Sequence, residues 1–386
     1  TLHGSSRTTT RAVRAAREFK TTNGDIMGFK KLSTLGTLLI GATALLSGCA
    51  SGPKYFDNNQ LASNKEAMVK EFTDSDGSRH IRKVAGKKVI IPTFQVEFLV
   101  KTGGAADSYD AMSKNRSSVS TSYAMKGVSE KTMQGITDQL YAQFVKDLSA
   151  AGYTVIPQSE LAKNEHYKKL AAKFDKKSPF KDGSMLGGND ESLFFAASGQ
   201  PMYFSMDDGK GGIGNVFSQA GSGLGGESIL DLEGEMMHTF DAALVRPRFV
   251  VGFASVTESG SSSSASVSAR MGVAVASKES KITFYPETYK IIGRDKYQVD
   301  SSRGEVFLKK PILAGDNVVN EVANVTSTGT QVGMIALNAL SLLSGAGGSY
   351  AHKDYEARMN EAAYKEAVLK HLNATSEMLV FKAKSE

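Results

Sequence analysis

The sequence predicts a mixed α/β fold of the α+β kind: strand, helix, strand, helix, then a β-hairpin extension and a C-terminal helix. Three stretches carry that expectation. Lys88–Val100 is rich in β-branched and aromatic residues and alternates at Phe94, Val96 and Phe98, as a half-buried strand does. Met133, Ile136, Leu140, Phe144 and Leu148 recur at spacings of three and four, which places them on one helix face. Ala265, Val267, Ala269, Met271, Val273 and Val275 alternate with Ser264, Ser266, Ser268, Arg270 and Gly272, the pattern of a strand with one apolar side.

Taken in order, Pro92 sets a break or bulge in the first strand, because proline cannot donate to a ladder. The Gly/Ser/Asn-rich stretch Thr102–Tyr123 reads as a long loop. Ser129 suits the N-cap of the first long helix, Glu130 its first turn, and Gly152 its close. Tyr153–Pro157 is a short strand, and Ser159 begins a second helix carrying Leu161, Leu170 and Phe174. A Gly-rich insertion covers about 175–246, with an apolar patch at Leu193-Phe194-Phe195 and helical spacing resuming over Leu230–Phe240. A hairpin over about 249–277 joins Phe249–Val256 to the alternating strand through a Ser/Gly turn. An apolar stretch Val332–Leu343, a Gly-rich break, a helix near Tyr355–Leu372 and a final strand at Glu377–Phe381 complete the chain.

At 386 residues, with 41% apolar residues and a mean hydropathy of −0.23, the chain can bury a sizeable core. Its one cysteine, Cys49, excludes an intrachain disulfide framework, a Cys-clustered zinc site and a two-cysteine redox motif. The net charge of +6 and pI near 9.0 invite a nucleic-acid reading until the charge is located. Residues 1–26 carry five basic side chains against two acidic ones, and Lys30 and Lys31 add two more positive charges, which leaves +1 from Cys49 onward. No nucleic-acid footprint remains.

Met27 is followed by Lys30-Lys31, an apolar run from Leu32 to Leu46, and Leu46-Ser47-Gly48-Cys49. A short basic region, an apolar region of secretory length and a small-residue cleavage site form a signal peptide over 27–48. Ending on Leu-Ser-Gly-Cys, it resembles the bacterial lipoprotein signal, in which the cysteine is acylated, with chains such as palmitate, and becomes the mature N-terminus. Ala50 and Ser51 follow, with no aspartate at the sorting position, so the resemblance implies the periplasmic face of the outer membrane. With translation starting at Met27, residues 1–26 would be upstream reading frame. Residues 49–86 then read as the acylated N-terminus and tether, and 87–386 as a periplasmic α/β domain.

The chain offers little for catalysis. His3, His80, His166, His238, His352 and His371 are scattered, with no two at helical metal-ligand spacing, so neither a metal nor a cofactor is expected. No Gly-x-Ser-x-Gly elbow occurs. Gly221–Gly226 fits a dinucleotide fingerprint formally, but no strand precedes it and no helix opens from it. Asp207-Asp208-Gly209 lacks the alternating acids and closing Glu of a calcium loop. No catalytic, cofactor-binding or metal residue is named; Cys49 is the one site residue. The alternating 264–275 segment serves either as a half-buried strand of a soluble domain or as a membrane strand. Its alanines and the absence of tryptophan favour the former.

The order of elements resembles the curli secretion channel family. The likeness rests on the lipoprotein signal, the strand Lys88–Val100, and the helix Lys131–Ala151 ending in Gly152-Tyr153-Thr154-Val155-Ile156. It continues through Phe249-Val250-Val251-Gly252-Phe253-Ala254-Ser255-Val256-Thr257-Glu258-Ser259 and Ser268–Ala276. The resemblance implies an acyl-anchored periplasmic domain that forms a ring, with hairpins from each subunit completing an outer-membrane barrel. The chain departs from the family over Asp175–Arg246, where a first membrane hairpin is expected. It also departs at Pro286 and in lacking a counterpart of the constriction loop. The expectation is a non-enzymatic, homo-oligomeric outer-membrane lipoprotein supporting secretion or assembly of an envelope or surface structure, with an unidentified cargo or envelope partner. The alternative is a monomeric periplasmic accessory lipoprotein contacting a partner complex or the cell wall; a lipid-anchored enzyme is a third class without a supporting constellation.

Overall fold

The computed structural model describes residues 55–112, 115–183, 190–205, 227–261, 264–293, 295–343 and 348–386. The described residues begin with α1 (Asn58–Ser63), α2 (Lys65–Phe72), β1 (Thr73–Asp76) and α3 (Ser78–Val84). The tether expected through residue 86 is therefore folded from Asn58 onward. Phe56, Leu61, Met68, Val69, Ile81 and Val84 are buried in the main core, too thinly spaced in sequence to announce a packed element.

Next come β2 (Lys88–Ile90), β3 (Gln95–Asp110), β4 (Asn115–Lys126), α4 (Glu130–Ala150) and β5 (Thr154–Val155). Pro92 falls in the break between β2 and β3, as expected. Ser129 caps α4 by accepting the Thr132 N–H, and Gly152 leaves the helix at φ +100°, a left-handed region glycine tolerates. The second helix is two pieces, α5 (Gln158–Leu161) and α6 (Glu165–Phe174), the latter newly capped by Asn164. The described parts of the Gly-rich insertion form β6 (Phe180–Gly183), β7 (Glu191–Ala196) and α7 (Ile229–Phe240).

The hairpin of β8 (Ala243–Gly260) and β9 (Ala265–Val275) matches the expected extension. Five short strands follow: β10 (Lys281–Tyr285), β11 (Thr288–Lys290), β12 (Tyr297–Val299), β13 (Gly304–Leu308) and β14 (Ile312–Leu313). The chain continues with β15 (Val319–Asn324), α8 (Thr328–Leu343), β16 (Gly348–Met359) and α9 (Glu361–Ser385). Two sequence expectations fail here. Tyr355–Met359 extends β16 instead of starting a helix, and Glu377–Phe381 lies inside α9, where Met378, Leu379 and Val380 are buried. An apolar run of that length fits a buried helix as well as a strand.

A single large sheet runs β1-β13-β10-β8-β3-β4-β16-β15, with β7 and β6 added beside β3 and β9 beside β8. Its central strands are apolar on both faces, since neighbouring side chains point opposite ways. Val89, Ala243, Val245 and Phe284 join the core under α4 and α9, while Ile90, Leu244 and Tyr285 join a second core under α6 and α7. Helices on both sides of a mixed sheet make the domain α+β. No helix among the described residues is long and apolar enough to cross a membrane.

Candidate functional site

β3 and β8 lie side by side and parallel from Gln95↔Arg248 to Phe98↔Val251; beyond that point the two strands no longer pair, and each runs on as one arm of a long hairpin. β3 turns back as β4, paired from Lys101↔Ala124 to Asp110↔Asn115. β8 turns back as β9, paired to Gly260↔Ala265. The expected long loop over Thr102–Tyr123 is thus a β-hairpin. Its residues are small or polar on both faces, so no apolar alternation marked it.

The two hairpins pack against one another through their smaller side chains. Thr102, Ala106 and Ser108 of β3 and Thr121 and Tyr123 of β4 are buried, on a face shared with Gly104 and Val119. On the second hairpin the corresponding face holds Ala254, Val256, Ala269 and Met271, with Glu258 near its end. Glu258 accepts the backbone N–H of Ala105 at 2.8 Å. A Cβ on Gly104 would fall 2.7 Å from Glu258 Oε1 and 2.9 Å from Val256 Cγ1, and a Cβ on Gly260 would meet the carbonyl oxygen of Asp107. Glycine at both positions permits the close approach.

The other face of the first hairpin is polar, and β16 extends it. β16 pairs with β4 in parallel from Gly348↔Arg116 to Arg358↔Lys126. Ser120 Oγ lies 2.7 Å from His352 Nδ1, His352 Nε2 lies 3.1 Å from Asp354 Oδ1, and Ser122 donates to the same Asp354 oxygen. The Ser122 hydrogen bond holds the Asp354 carboxyl below its ordinary value; Ser118, with Arg116, does the same for Asp107. Ser120, His352 and Asp354 follow one another as in a proton relay. For acyl transfer they would also need a substrate cleft and free oxyanion donors. A groove of about 630 Å³ is lined instead by residues such as Lys65, Asp147 and Phe381, and another of about 330 Å³ by others near Pro286. The three residues read as a cross-strand polar ladder.

At the root of the hairpins β8 buries two arginines. Arg246 pairs with Glu233 of α7, which also accepts from Tyr203 Oη at 2.7 Å. Arg248 pairs with Glu97 of β3 at 2.5 Å, and Ser192 of β7 donates to Glu97 at 2.7 Å. Burial disfavours the charge on Arg246, but Glu233 outweighs it and the pKa stands above its ordinary value. Charges placed at alternate positions in the otherwise apolar run Leu244–Phe253 were a readable sign of buried partners, and sequence inspection passed over them.

Cys49, Asp207–Gly209 and Gly221–Gly226 lie outside the described residues. The structure does not gather the described histidines. His238 stacks on Tyr297 at 3.7 Å, and His371 bonds Asp316 at 2.8 Å within the core under α9. Among the described residues no group of three His, Cys, Asp or Glu side chains could hold a metal ion. No protein-family model matches the chain, and neither a curated protein nor a solved structure matches it.

Proposed function

We propose that the protein is an outer-membrane lipoprotein, acylated at Cys49, that assembles with copies of itself into a curli-channel-like component for secretion or surface assembly. One observation supports this above others: two long hairpins leave one parallel strand pair, each with a small, partly apolar face. In the second hairpin Ala254, Val256, Ala265, Val267, Ala269 and Met271, with Glu258 as the one charged exception among them, alternate with Ser255, Thr257, Ser266, Ser268 and Arg270. Dyad alternation of this kind is what a membrane strand requires, apolar towards lipid and polar towards a lumen. In the single chain these faces cover one another, so joining a barrel requires the hairpins to part and pair with those of neighbouring subunits.

A second reading draws on the opposite face. Ser118, Ser120, Ser122, His352 and Asp354 make the outside of the first hairpin compatible with water, as a monomeric accessory lipoprotein would need. Imaging of detergent-extracted, acylated protein together with planar-bilayer conductance separates the two. Rings that conduct support the secretion reading, and a non-conducting monomer overturns it. Intact mass of the extracted chain tests acylation at Cys49 separately.

A further inference from the structure

Helix α8 is built inside out for a helix in water. Its narrow polar strip faces the protein: Asn338 accepts the Tyr350 N–H at 2.6 Å and donates to the Tyr350 carbonyl at 3.2 Å, and Met334 Sδ receives the His352 N–H. These side chains close the edge of β16 that lies beyond the reach of β15. Four of the large apolar side chains that are described point away. Val332, Ile335, Leu337 and Leu340 are 60%, 68%, 53% and 63% exposed. A surface helix of a water-soluble domain does the reverse, and a contiguous exposed apolar patch marks a membrane or protein contact.

Charge identifies the occupant. From Val322 to Ala351, 30 residues, the sequence contains no Asp, Glu, Lys or Arg, where the chain's 22% charged content would place about six or seven. Hydrocarbon is the surrounding that excludes charged side chains outright, and over this length the chain presents none to it. Sixteen residues of helix span about 24 Å, short of the roughly 20 residues needed to cross a hydrocarbon core, so the helix fits along the bilayer and not through it. Its place in the fold agrees: β16 begins with Gly348 opposite Arg116, so α8 lies beside the outer half of the first hairpin.

We propose that α8 is an in-plane membrane helix, docked on a phospholipid bilayer with Val332, Ile335, Leu337 and Leu340 among the acyl chains. The anchoring reading enters only as delivery.

The chain has no tryptophan, so one introduced indole reports on one place. The test uses residues 51–386, a compact unit by itself that lacks both Cys49 and the apolar run Leu32–Leu46, so neither an acyl group nor the signal segment can hold the protein on vesicles. Leu340→Trp, Leu337→Trp and, as a control on the exposed β11, Tyr289→Trp are each mixed with vesicles of phosphatidylethanolamine and phosphatidylglycerol with brominated acyl chains. Expected are a blue shift and bromine quenching at positions 340 and 337 and neither at 289. Ile335→Asn with Leu337→Asn should melt like the parent, since both side chains are exposed, yet partition to vesicles at least about tenfold more weakly. Silence of both α8 reporters towards vesicles overturns the proposal. So does an equal response at 289, or a blue shift that needs no lipid and grows with protein concentration, the mark of a second copy covering the patch.

Discussion

Glu258 of the second hairpin accepts the backbone N–H of Ala105 of the first at 2.8 Å, and Gly104 beside it leaves room for that carboxylate and for Val256. The hairpins are thus latched by one side chain and fitted by two glycines. The two glycines differ in what they oppose: side-chain atoms at Gly104, a backbone carbonyl at Gly260.

Gly260→Ala is therefore expected to cost more than Gly104→Ala. A methyl at 104 meets only side chains, Glu258 and Val256, which can shift, whereas the Asp107 carbonyl can move only with its strand. Overpacking against backbone costs about 1–3 kcal/mol, and the order of the two urea midpoints checks the prediction.

Locking the latch tests whether the hairpins must part. Gly104→Cys with Val256→Cys brings two thiols together across the hairpin interface. On the secretion reading, the oxidised protein should stay monomeric and silent in bilayers, and a reductant should restore rings and conductance. Conducting rings with the disulfide intact would show that the hairpins need not separate.

The buried pair at the hairpin root should behave asymmetrically. Arg246→Met alone strands the Glu233 carboxylate, fully buried, and should cost about 3–5 kcal/mol; Arg246→Met with Glu233→Leu should recover much of that. A double-mutant cycle in urea gives the coupling directly.

Acid should weaken the joint between α4 and α9. Glu361 accepts from the Ser129 and Thr132 hydroxyls and the Ser129 backbone N–H, which lower its pKa from 4.5 to about 2. A carboxyl whose folded value lies below its unfolded one adds stability that is complete above about pH 4.5 and drains away towards pH 2. Urea midpoints taken across that window should fall less steeply for Glu361→Gln than for the parent.

What could be read in advance followed the size of the apolar signal. α4 was legible because Met133 to Leu148 mark one stripe, and β9 because Val267, Met271 and Val273 alternate with small or polar residues. The first hairpin was not, because Gly104 and Ala106 face the second hairpin at close approach and for that reason carry no large apolar side chain for periodicity to detect. Ser120 and Ser122 looked like loop residues, while their partners His352 and Asp354 stand 232 residues downstream, beyond any local pattern. The Tyr355–Met359 strand was misread because its pairing with β4 and β15 decides its conformation, not its own propensity.

The same separation of 232 residues sets an order of events as the chain is made. β4 is complete long before β16 exists, so its outer edge must wait, open, while more than half of the chain follows. A waiting edge rich in valine or isoleucine would recruit other chains. Ser117, Ser118, Ser120, Thr121 and Ser122 make it a poor template for that: the strand is composed as much for the time before its partner arrives as for the sheet it finally joins.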